Sequence, residues 1–578
     1  MASSLRGKLK DSPLAEALVL RWADGNLSAL DVQDIAACAV ASGATDGQVH
    51  YLASLGSAGS STGGNASKQL YQRYCKDIGI CEPTVIRAPH KNVKTGEVIE
   101  ADTAIQLPHD LVSSLAAGYP AVVLEDFFGI SKVEAWWESQ SHRNPKFWQH
   151  PMFDMNYHQM CIPVMLHGDA AEFQDRDSLN TMSLKGVLMN QDGGQGGHLA
   201  LASVPKSCTT PGTWELIWRW LAWSFKALLS GMHPAIDPFG VKWPRGSKRA
   251  ALAGSNILPN GLRCVLWSFC GDLAFYSSDL GQPYHNSNEF CWRCMQDRSL
   301  TPWNDFRPRA AWRATVLSGA ELADTAQRHT LFNSGLGFGL AMLMFDSMHV
   351  LDLGVTLYTL GSVLYEITYR DMAEPNKQEC FNILWVRMQE ISRELGQEQF
   401  ITRLTLRQLK DPAFDAYPCL KFIKAAEARH LSRVVAALAR EYNRGTQEHA
   451  HRDYVMTSLT NIYDQIETRG FQLADPSLLS KAIDTFLVHY SALARISMER
   501  GEFNWSITPK FHFLCHLAEQ AHFEHPRLYW NYSGETYVGH VSRVAHMCVF
   551  GKPVHTIAPK LFSRIRIGLH LRLAKEYL

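Results

Sequence analysis

The sequence has no excess of charge of either sign. Lysine and arginine total 56, aspartate and glutamate also total 56, and charged residues make up only 19% of the 578 residues. A protein that binds nucleic acid usually has a basic excess, because phosphate contacts dominate its affinity. Any surface that binds DNA must therefore be a local basic patch, which acidic residues elsewhere offset.

Signals for a membrane or for secretion are also missing. Met1–Pro13 is polar and basic and has no apolar stretch, so it does not resemble a signal peptide. No window of about 18 residues is both uncharged and apolar, and we therefore expect no membrane span. The 13 cysteines have no framework spacing. This favours an intracellular chain with reduced thiols.

The composition is that of a folded chain with large cores. Apolar residues make up 46% of the sequence and 16 residues are tryptophan, which excludes a disordered chain. At roughly 100–200 residues per domain, the length predicts about three or four domains. No internal repeat of roughly 20–50 residues is found, which excludes a repeat architecture.

The patterns along the chain predict six segments. Helical apolar spacing in Leu14–Ala41 predicts a small helical region, and the Gly- and Ser-rich run Gly56–Asn65 predicts a flexible linker. From the start of the chain the segments are a helical region (1–55), a linker (56–67), a weakly patterned lead-in (68–150), an α/β core with a CxxC insertion near 270–330 (151–370), an all-α insertion (371–505), and a final part of the core that ends in a basic helix (506–578).

Five strands are predicted in the core, and three of them lead into an aspartate. They are Met160–His167 before Asp169, Met182–Asn190, His198–Val204, Arg263–Cys270 before Asp272, and Ala341–Phe345 before Asp346. Apolar runs predict buried helices over Thr213–Ser230 and Val350–Ile367. Carboxylates at strand ends can converge at one edge of a sheet, where a metal site can form.

Residues 377–500 carry helical patterns and no strong strand pattern. The clearest helical patterns are Gln378–Leu395, Leu420–Tyr442 and Pro476–Met498. They predict the all-α insertion. The chain after it opens around Pro509–His516 (PKFHFLCH).

Three acidic residues fit the needs of a two-metal site for phosphoryl transfer. Such a site holds two divalent ions roughly 3.5–4 Å apart, and carboxylates are suitable ligands for Mg²⁺ or Mn²⁺. The three are Asp169, Asp346 and Glu535, with His349 one turn after Asp346 and Asp272 as a fourth acid that could replace one of them. Each of the three also has a purely structural explanation. Asp169 could be a turn aspartate, Asp346 a helix N-cap, and Glu535 an acid that complements a helix dipole.

Cys291 and Cys294 form a CxxC pair that could hold one Zn²⁺. A structural zinc site needs four ligands, and no second CxxC follows. The nearest further ligands in the sequence are His285, Cys270 and His329. Two plain buried cysteines are the alternative, and a redox role lacks a thioredoxin-like context.

One group of arginines is predicted to contact DNA, and a second basic patch allows the same two interpretations. Arg429, Arg433, Arg440 and Arg444 are spaced by 4, 7 and 4 residues, which places them along one helix face, near Lys421 and Lys424. This arrangement suits phosphate contacts. The alternative is a solvated helix face that Glu427 and Glu441 compensate. The second group lies near the C-terminus and consists of Arg564, Arg566, Arg572 and Lys575.

Three stretches of the sequence resemble the DDE transposases of the CACTA, Plavaka and Kyakuja-Dileera-Zisupton group. Ile162–Asp169 (IPVMLHGD) is similar to the strand with the first catalytic Asp of that family. Gly271–Cys294 (GDLAFYSSDLGQPYHNSNEFCWRC) is similar to its GDL segment and zinc knuckle. Asp346–His349 (DSMH), followed by LDLGV, resembles its D-x-x-H signature. The resemblance covers roughly residues 150–550, although the family often follows its CxxC with histidines and none is near here.

The resemblance implies an RNase H-like mixed sheet that a helical insertion interrupts, with Glu535 after the insertion, 189 positions beyond Asp346. It implies that Asp169, Asp346 and Glu535 form the triad of a metal-dependent enzyme that cuts DNA and joins the ends. The partner would be double-stranded DNA and the location would be the nucleus. The chain could also form a homo-oligomer. Two alternatives stay open: a domesticated chain that binds DNA or protein without catalysis, and an RNase H-like nuclease.

Overall fold

The computed structural model shows a mixed α/β fold with two small sheets. It describes residues 9, 11–56, 63–75, 78–154, 156–189, 197–324, 327–397, 403–409, 417–549 and 553–577. The strands are β1 (Thr84–Lys91), β2 (Val98–Ile105), β3 (Cys161–Gln174), β4 (Asp177–Gly186), β5 (Leu199–Pro205) and β6 (Arg263–Gly271). The first two strands form an antiparallel hairpin, and the others form a sheet in the order β5-β4-β3-β6. Within it β3 is antiparallel to β4 and parallel to β6.

Helices surround both sheets. Those of seven residues or more in the described part of the chain are α1 (Pro13–Ala23), α2 (Ala29–Ala41), α3 (Gly47–Ala53), α4 (Gly63–Tyr74), α5 (Pro108–Gly118), α6 (Val133–Ser139), α7 (Pro211–Ser230), α8 (Leu273–Leu280), α9 (Met348–Asp371), α10 (Lys377–Glu394), α11 (Ala425–Glu441), α12 (Gln447–Ile466), α13 (Pro476–Glu499), α14 (Pro509–Gln520), α15 (Tyr532–His546) and α16 (Ala558–Tyr577).

The best-predicted elements are those with strong local signals. Helix α7 begins after Thr210, whose hydroxyl caps the amide of Thr213, and it ends at Gly231 with a left-handed φ of 75°. It packs against β6, which runs to Gly271, almost as the apolar run predicted. The two caps and the apolar pattern agree for α7, and the apolar run agrees for β6, so sequence and structure coincide in both elements.

Three of the predicted strands differ from the structure. Strand β3 continues to Gln174, so Asp169 lies inside the strand, opposite Thr181, and not after its end. Ala341–Phe345 is not a strand: it contains a helical turn at Leu340–Met342 and one parallel bridge from Leu343 to β6. Pairing stops there because the Phe345 amide donates to the Gln520 side chain and not to a strand. The strand predicted at Met182–Asn190 is shifted, since β4 spans Asp177–Gly186.

Helix α9 passes through the core. Within the described residues it is the one helix long and apolar enough to cross a membrane, but 78% of that window is buried inside the fold. It contains the predicted helix Val350–Ile367, and its first and last turns are π-helical. Burial of this kind is typical of a core helix.

Four helices, α10 to α13, lie between α9 and α14, and the described residues among them contain no strand. Three were predicted. Helix α12 was missed, because its polar first turns weaken the apolar period. Helices α12 and α13 pack along each other, and α11 packs against α9.

The N-terminal helices and α16 share a second core. The predicted linker is partly wrong: residues 57–62 lie outside the described residues, and α4 already begins at Gly63. The predicted C-terminal basic patch is also wrong. Arg564 and Arg566 are buried, because their guanidinium groups donate to the carbonyls of Trp22 and Ile80, and Arg572 pairs with Asp24 at 2.7 Å. The Lys575 side chain lies outside the described residues.

Candidate functional site

Two acidic residues stand side by side at the edge of the central sheet. Gly168 of β3 pairs with Gly271 of β6 in parallel, so the residues that follow, Asp169 and Asp272, occupy the same level on neighbouring strands. Asp169 is 7% exposed. Asp272 caps α8 by accepting the Phe275 amide at 2.5 Å. The register of two strands therefore brings these carboxylates together.

Helix α15 places Glu535 against Asp169. Side chains alternate along β3, so His167 and Asp169 face α15 together. Gly534 packs on His167 so closely that a Cβ there would lie 2.6 Å from the imidazole Nε2, which only glycine permits. The next residue, Glu535, shares a hydrogen bond with Asp169. The pKa of Asp169 is raised to about 8, chiefly by burial. The charge of Glu535, the hydrogen bond to it and the charge of Asp272 raise this pKa further.

The third segment brings Asp346 and His349. Asp346 is buried, and its Oδ1 accepts the backbone amides of Met348 and Asn531, both at 2.9 Å. His349 Nδ1 lies 2.6 Å from Asp346 Oδ2, and its Nε2 lies 3.4 Å from Glu535 Oε1. Burial alone would lower the pKa of His349, but these carboxylates and Asp272 raise it to about 9. The imidazolium thus links Asp346 to Glu535.

Two lysines that the sequence reading missed lie near the acids. Lys185, on β4, is buried and its ammonium group is 3.4 Å from Ser533 Oγ. Lys510, at the start of α14, donates to the carbonyl of Leu353 at 3.0 Å. Burial lowers the pKa of both lysines, and the charge of Asp346 opposes that shift in each case. Neither lysine has a local sequence signal, since only the tertiary fold brings it to the acids.

Four acidic residues from distant parts of the chain lie in one neighbourhood, which we call the carboxylate site. Glu535 and Asp272 act on Asp169, and His349 contacts both Asp346 and Glu535. Asp169 holds a proton up to about pH 8 because burial, and then Glu535 and Asp272, disfavour its charged form. The four acids are not among the groups of described residues whose ligand atoms all lie within 4.8 Å of one another. Carboxylate oxygens are the ligands that Mg²⁺ or Mn²⁺ takes in proteins.

A second group of ligands lies behind the sheet edge. Cys291, Cys294, His512 and His516 are buried, and one ligand atom from each lies within 4.8 Å of the others. Cys294 Sγ is 3.3 Å from His512 Nε2, which is 3.2 Å from His516 Nε2. Hydrogen bonds from Cys291 and from both histidines lower the pKa of Cys294. Two thiol sulfurs and two imidazole nitrogens at this spacing are a donor set for Zn²⁺.

The two histidines of this group are oriented for metal binding. His516 Nδ1 lies 2.7 Å from Glu519 Oε2, and His512 Nδ1 lies 3.1 Å from the carbonyl oxygen of Trp303. Both contacts leave Nε2 free to face the cysteines, which is the usual outer arrangement of zinc-binding histidines. The site therefore has four protein ligands and supporting partners for both histidines.

The further zinc ligands expected from the sequence are wrong. Cys270 Sγ donates to the carbonyl of Tyr529 at 3.0 Å, His329 packs on the ring of Trp218, and His285 is exposed. The histidines that lie against the two cysteines come more than 200 positions after the CxxC pair. Their H-x₃-H spacing on a helix was the signal that could have found them.

A third group of ligand residues has no need for a metal ion. His109, Asp110 and His233 also lie within 4.8 Å of one another. The guanidinium of Arg249 pairs with Asp110 at 2.7 Å, and it already supplies the positive charge that a cation would bring.

The predicted arginine stripe is compensated by acids, although not by the expected Glu427 and Glu441: Glu427 accepts the Lys424 amide and Glu441 pairs with Arg387. Arg433 pairs with Asp464 at 2.8 Å and with Glu467 at 2.7 Å, both at the C-terminal end of α12. Arg440 lies 3.6 Å from Asp453, and Arg444 donates to the carbonyl of Asp371. Arg429 lies 3.7 Å from Glu467 and stacks over Trp530 and Tyr532. DNA binding by this stripe stays a prediction, and Arg429 is the member that contacts the start of α15, the helix that carries Glu535.

The chain matches no model of a known protein family, and no curated protein sequence matches it.

Proposed function

We propose that the chain is a DDE-type DNA transposase that cuts DNA and joins the freed ends with divalent metal ions. One observation carries the proposal: a chain of contacts joins Asp169, Glu535 and Asp346, although 177 positions separate Asp169 from Asp346 and 189 separate Asp346 from Glu535. Asp169 is hydrogen-bonded to Glu535, and His349 bridges Glu535 and Asp346. Asp169 and Asp346 are buried, and buried carboxylates beside other acids are costly unless positive charge is near. His349 supplies one such charge, and we infer that divalent cations supply the rest.

We also infer that the core is RNase H-like. Strands β3, β4 and β5 form an antiparallel meander, β6 lies parallel on the other side of β3, and Leu343 adds a parallel contact to β6. Asp169 lies on the first strand of this sheet, and Asp346 follows the last contact. The order of strands and the position of the acids support the inference.

Each residue of the site has a distinct part. Divalent ions held there would activate the attacking hydroxyl and stabilise the leaving oxygen. Asp169 and Asp346 would hold the ions from the sheet, and Glu535 would complete the set from α15. His349 is a positioning residue, because its ring fixes Asp346 relative to Glu535. Asp272 is a fourth acid beside Asp169.

We infer that the Cys₂His₂ group holds a structural zinc ion. All four of its ligands come from the protein and all are buried, so no position is open for a substrate. A closed tetrahedral site is typical of structural zinc. This site would tie the CxxC segment to α14.

The experiment that tests the proposal is a strand-transfer assay with Mg²⁺ or Mn²⁺. The donor is a pool of linear duplexes with randomised ends and free 3′-hydroxyls, and the target is a supercoiled plasmid whose joined products are sequenced. We expect wild type to join the ends, and Asp346→Asn or Glu535→Gln to lower the yield by about 1,000-fold or more. Glu499→Gln, an exposed acid on α13, is the matched control and should leave the yield unchanged.

Other results would overturn the proposal in different ways. Metal-dependent cleavage without joined products would show a nuclease on the same site. DNA binding without any cleavage would show a domesticated chain. Unchanged joining by Asp346→Asn would remove the carboxylate site from the chemistry.

A further inference from the structure

Phe422 has an unusual position and an unusual backbone. Its side chain is 93% exposed, the highest value among the large apolar residues that the structure describes. Its φ of 59° lies in the left-handed region, which bulky residues avoid because Cβ crowds the following carbonyl. A protein keeps such a conformation only where the surrounding structure enforces it.

The residues on both sides fix the turn that presents Phe422. Leu420 is buried, and its amide donates to the carbonyl of Leu357 on α9 at 2.9 Å. Lys421 and Gln408 exchange two hydrogen bonds, at 3.0 and 3.3 Å. Ile423 is buried on the other side. The ring therefore points away from the fold because its neighbours are anchored, and not because the segment lacks contacts.

The turn is joined to two helices that lead towards the carboxylate site. Leu357, whose carbonyl accepts the Leu420 amide, lies on α9, which begins two residues after Asp346. Helix α11 begins three residues after Phe422, and Arg429 in its second turn stacks over Tyr532, one turn before Glu535. Contacts of both helices therefore connect the turn to the acids.

Two lysines flank Phe422. Lys421 and Lys424 have no ion-pair partner among the described residues, and Glu427, the nearest acid in the sequence, accepts the backbone amide of Lys424 at 2.7 Å. The ring is also isolated, because the adjacent Leu420 and Ile423 are buried. One aromatic ring between cations is too small a surface for a protein interface, but it is the arrangement that stacks on a single base while cations contact the phosphates.

We propose that Phe422 stacks on one unpaired base of the DNA that the carboxylate site cuts, while Lys421 and Lys424 contact the phosphates of that strand. This inference rests on the proposed function. It adds that one base of the bound DNA is unpaired at Phe422. Phe422 then acts in positioning DNA, and the strained turn keeps the ring in place before DNA binds.

Two labelled duplexes of the same sequence test the proposal, one fully paired and one with a single unpaired 2-aminopurine. We expect wild type to bind the second duplex more tightly and to change the 2-aminopurine fluorescence. Phe422→Ala should weaken binding of the unpaired probe by roughly 5- to 150-fold and leave the paired probe unchanged. Phe422→Trp should keep the preference. Lys421→Ala should weaken both probes equally and reduce their salt dependence.

Phe422→Gly separates lost stacking from misfolding. Glycine accepts a φ of 59° without strain, so this variant should melt no lower than wild type and still lose the preference for the unpaired probe. Equal binding of both probes by wild type, or an unchanged preference in Phe422→Ala, would overturn the proposal. Cleavage is measured on the same preparations. If wild type cleaves DNA but its preference for the unpaired probe does not depend on Phe422, only this inference is overturned. If the preference depends on Phe422 but wild type does not cleave DNA, only the proposed function is overturned.

Discussion

Cys294 Sγ lies 3.3 Å from His512 Nε2, although the two residues are 218 positions apart in the sequence. With Cys291 and His516 they form a closed set of four ligands, so we predict one tightly bound Zn²⁺ per chain. Cys294→Ser should reduce the zinc content to nearly zero, measured by elemental analysis. The thermal unfolding midpoint should fall with it, because binding free energy at a structural site is also folding free energy.

Cys38→Ser is the control for this prediction, since Cys38 is exposed and away from the four ligands. Full zinc content in Cys294→Ser would contradict the site. Zinc loss should also disturb the carboxylate site: Trp292, between the two cysteines, stacks on Phe345 at a ring distance of 4.8 Å, and Phe345 directly precedes Asp346. We therefore expect Cys294→Ser to need more Mn²⁺ for the same cleavage.

The zinc site shows what a single sequence can reveal. The CxxC pair is a local signal, and so is the H-x₃-H spacing in Pro509–His516, but their pairing is set by tertiary packing. Ligands that are near in sequence were favoured in the prediction, and all three of them lie elsewhere in the fold. The acids differ among themselves: Asp169 and Asp346 follow apolar runs in the sequence, whereas Glu535 was proposed from the family resemblance and the length of the helical insertion.

Boundaries and surfaces were harder to predict than acids. Asp169 lies inside β3 because pairing with β4 continues to Gln174, and no local residue marks that end. Arg564 and Arg566 read as a basic surface, yet backbone carbonyls of other segments accept their hydrogen bonds. A charged residue at helical spacing does not show which partners the fold will bring to it.

His349→Gln tests the link between Asp346 and Glu535. Glutamine keeps a polar group but cannot carry the positive charge that both carboxylates stabilise on the imidazole. We expect the Mn²⁺ concentration for half-maximal cleavage to rise by about 10- to 100-fold, as for other residues that orient metal ligands. His522→Gln, which changes an exposed histidine bound to Ser480, should leave the metal titration unchanged. An unchanged titration in His349→Gln would mean that the imidazole does not position the acids.

Glu524 anchors a buried charged network beneath the site. Its carboxylate lies 2.9 Å from Lys146 Nζ and accepts the indole N–H of Trp267, also at 2.9 Å. Burial lowers the pKa of Lys146 to about 8, and Glu524 opposes that shift. We expect Glu524→Gln to lower the free energy of unfolding by about 3–5 kcal/mol, because it leaves a buried ammonium group without its counter-charge.

Guanidinium denaturation followed by tryptophan fluorescence measures this loss. The matched control is Glu394→Gln, which breaks an exposed ion pair to Arg387 and should change the free energy of unfolding by less than about 1 kcal/mol. Equal effects of the two substitutions would show that the Lys146–Glu524 pair has no special part in stability. Replacing Lys146 by Met in the Glu524→Gln background should recover part of the loss, since no unpaired charge then remains.

Asp169 should make metal binding depend on pH. Without added Mg²⁺ or Mn²⁺ its pKa is raised from 3.8 to about 8, so the carboxyl group is protonated at neutral pH and a metal ion must displace that proton. The apparent affinity for Mn²⁺ should therefore rise by up to about tenfold per pH unit between about pH 6 and 8 and become constant above that range. Isothermal titration calorimetry in buffers of different ionisation enthalpy measures the released proton.

The same raised pKa fixes the sign of the stability change. The protonated carboxyl group is the form that the folded site favours, so its contribution is full below about pH 4 and is lost as the pH rises through 8. The thermal unfolding midpoint of the metal-free chain should fall across this range relative to Asp169→Asn, and Mn²⁺ should restore it in wild type alone. Asp175→Asn, in the exposed turn after β3, is the control and should follow wild type. An equal pH dependence in Asp169→Asn would show that another group holds the proton.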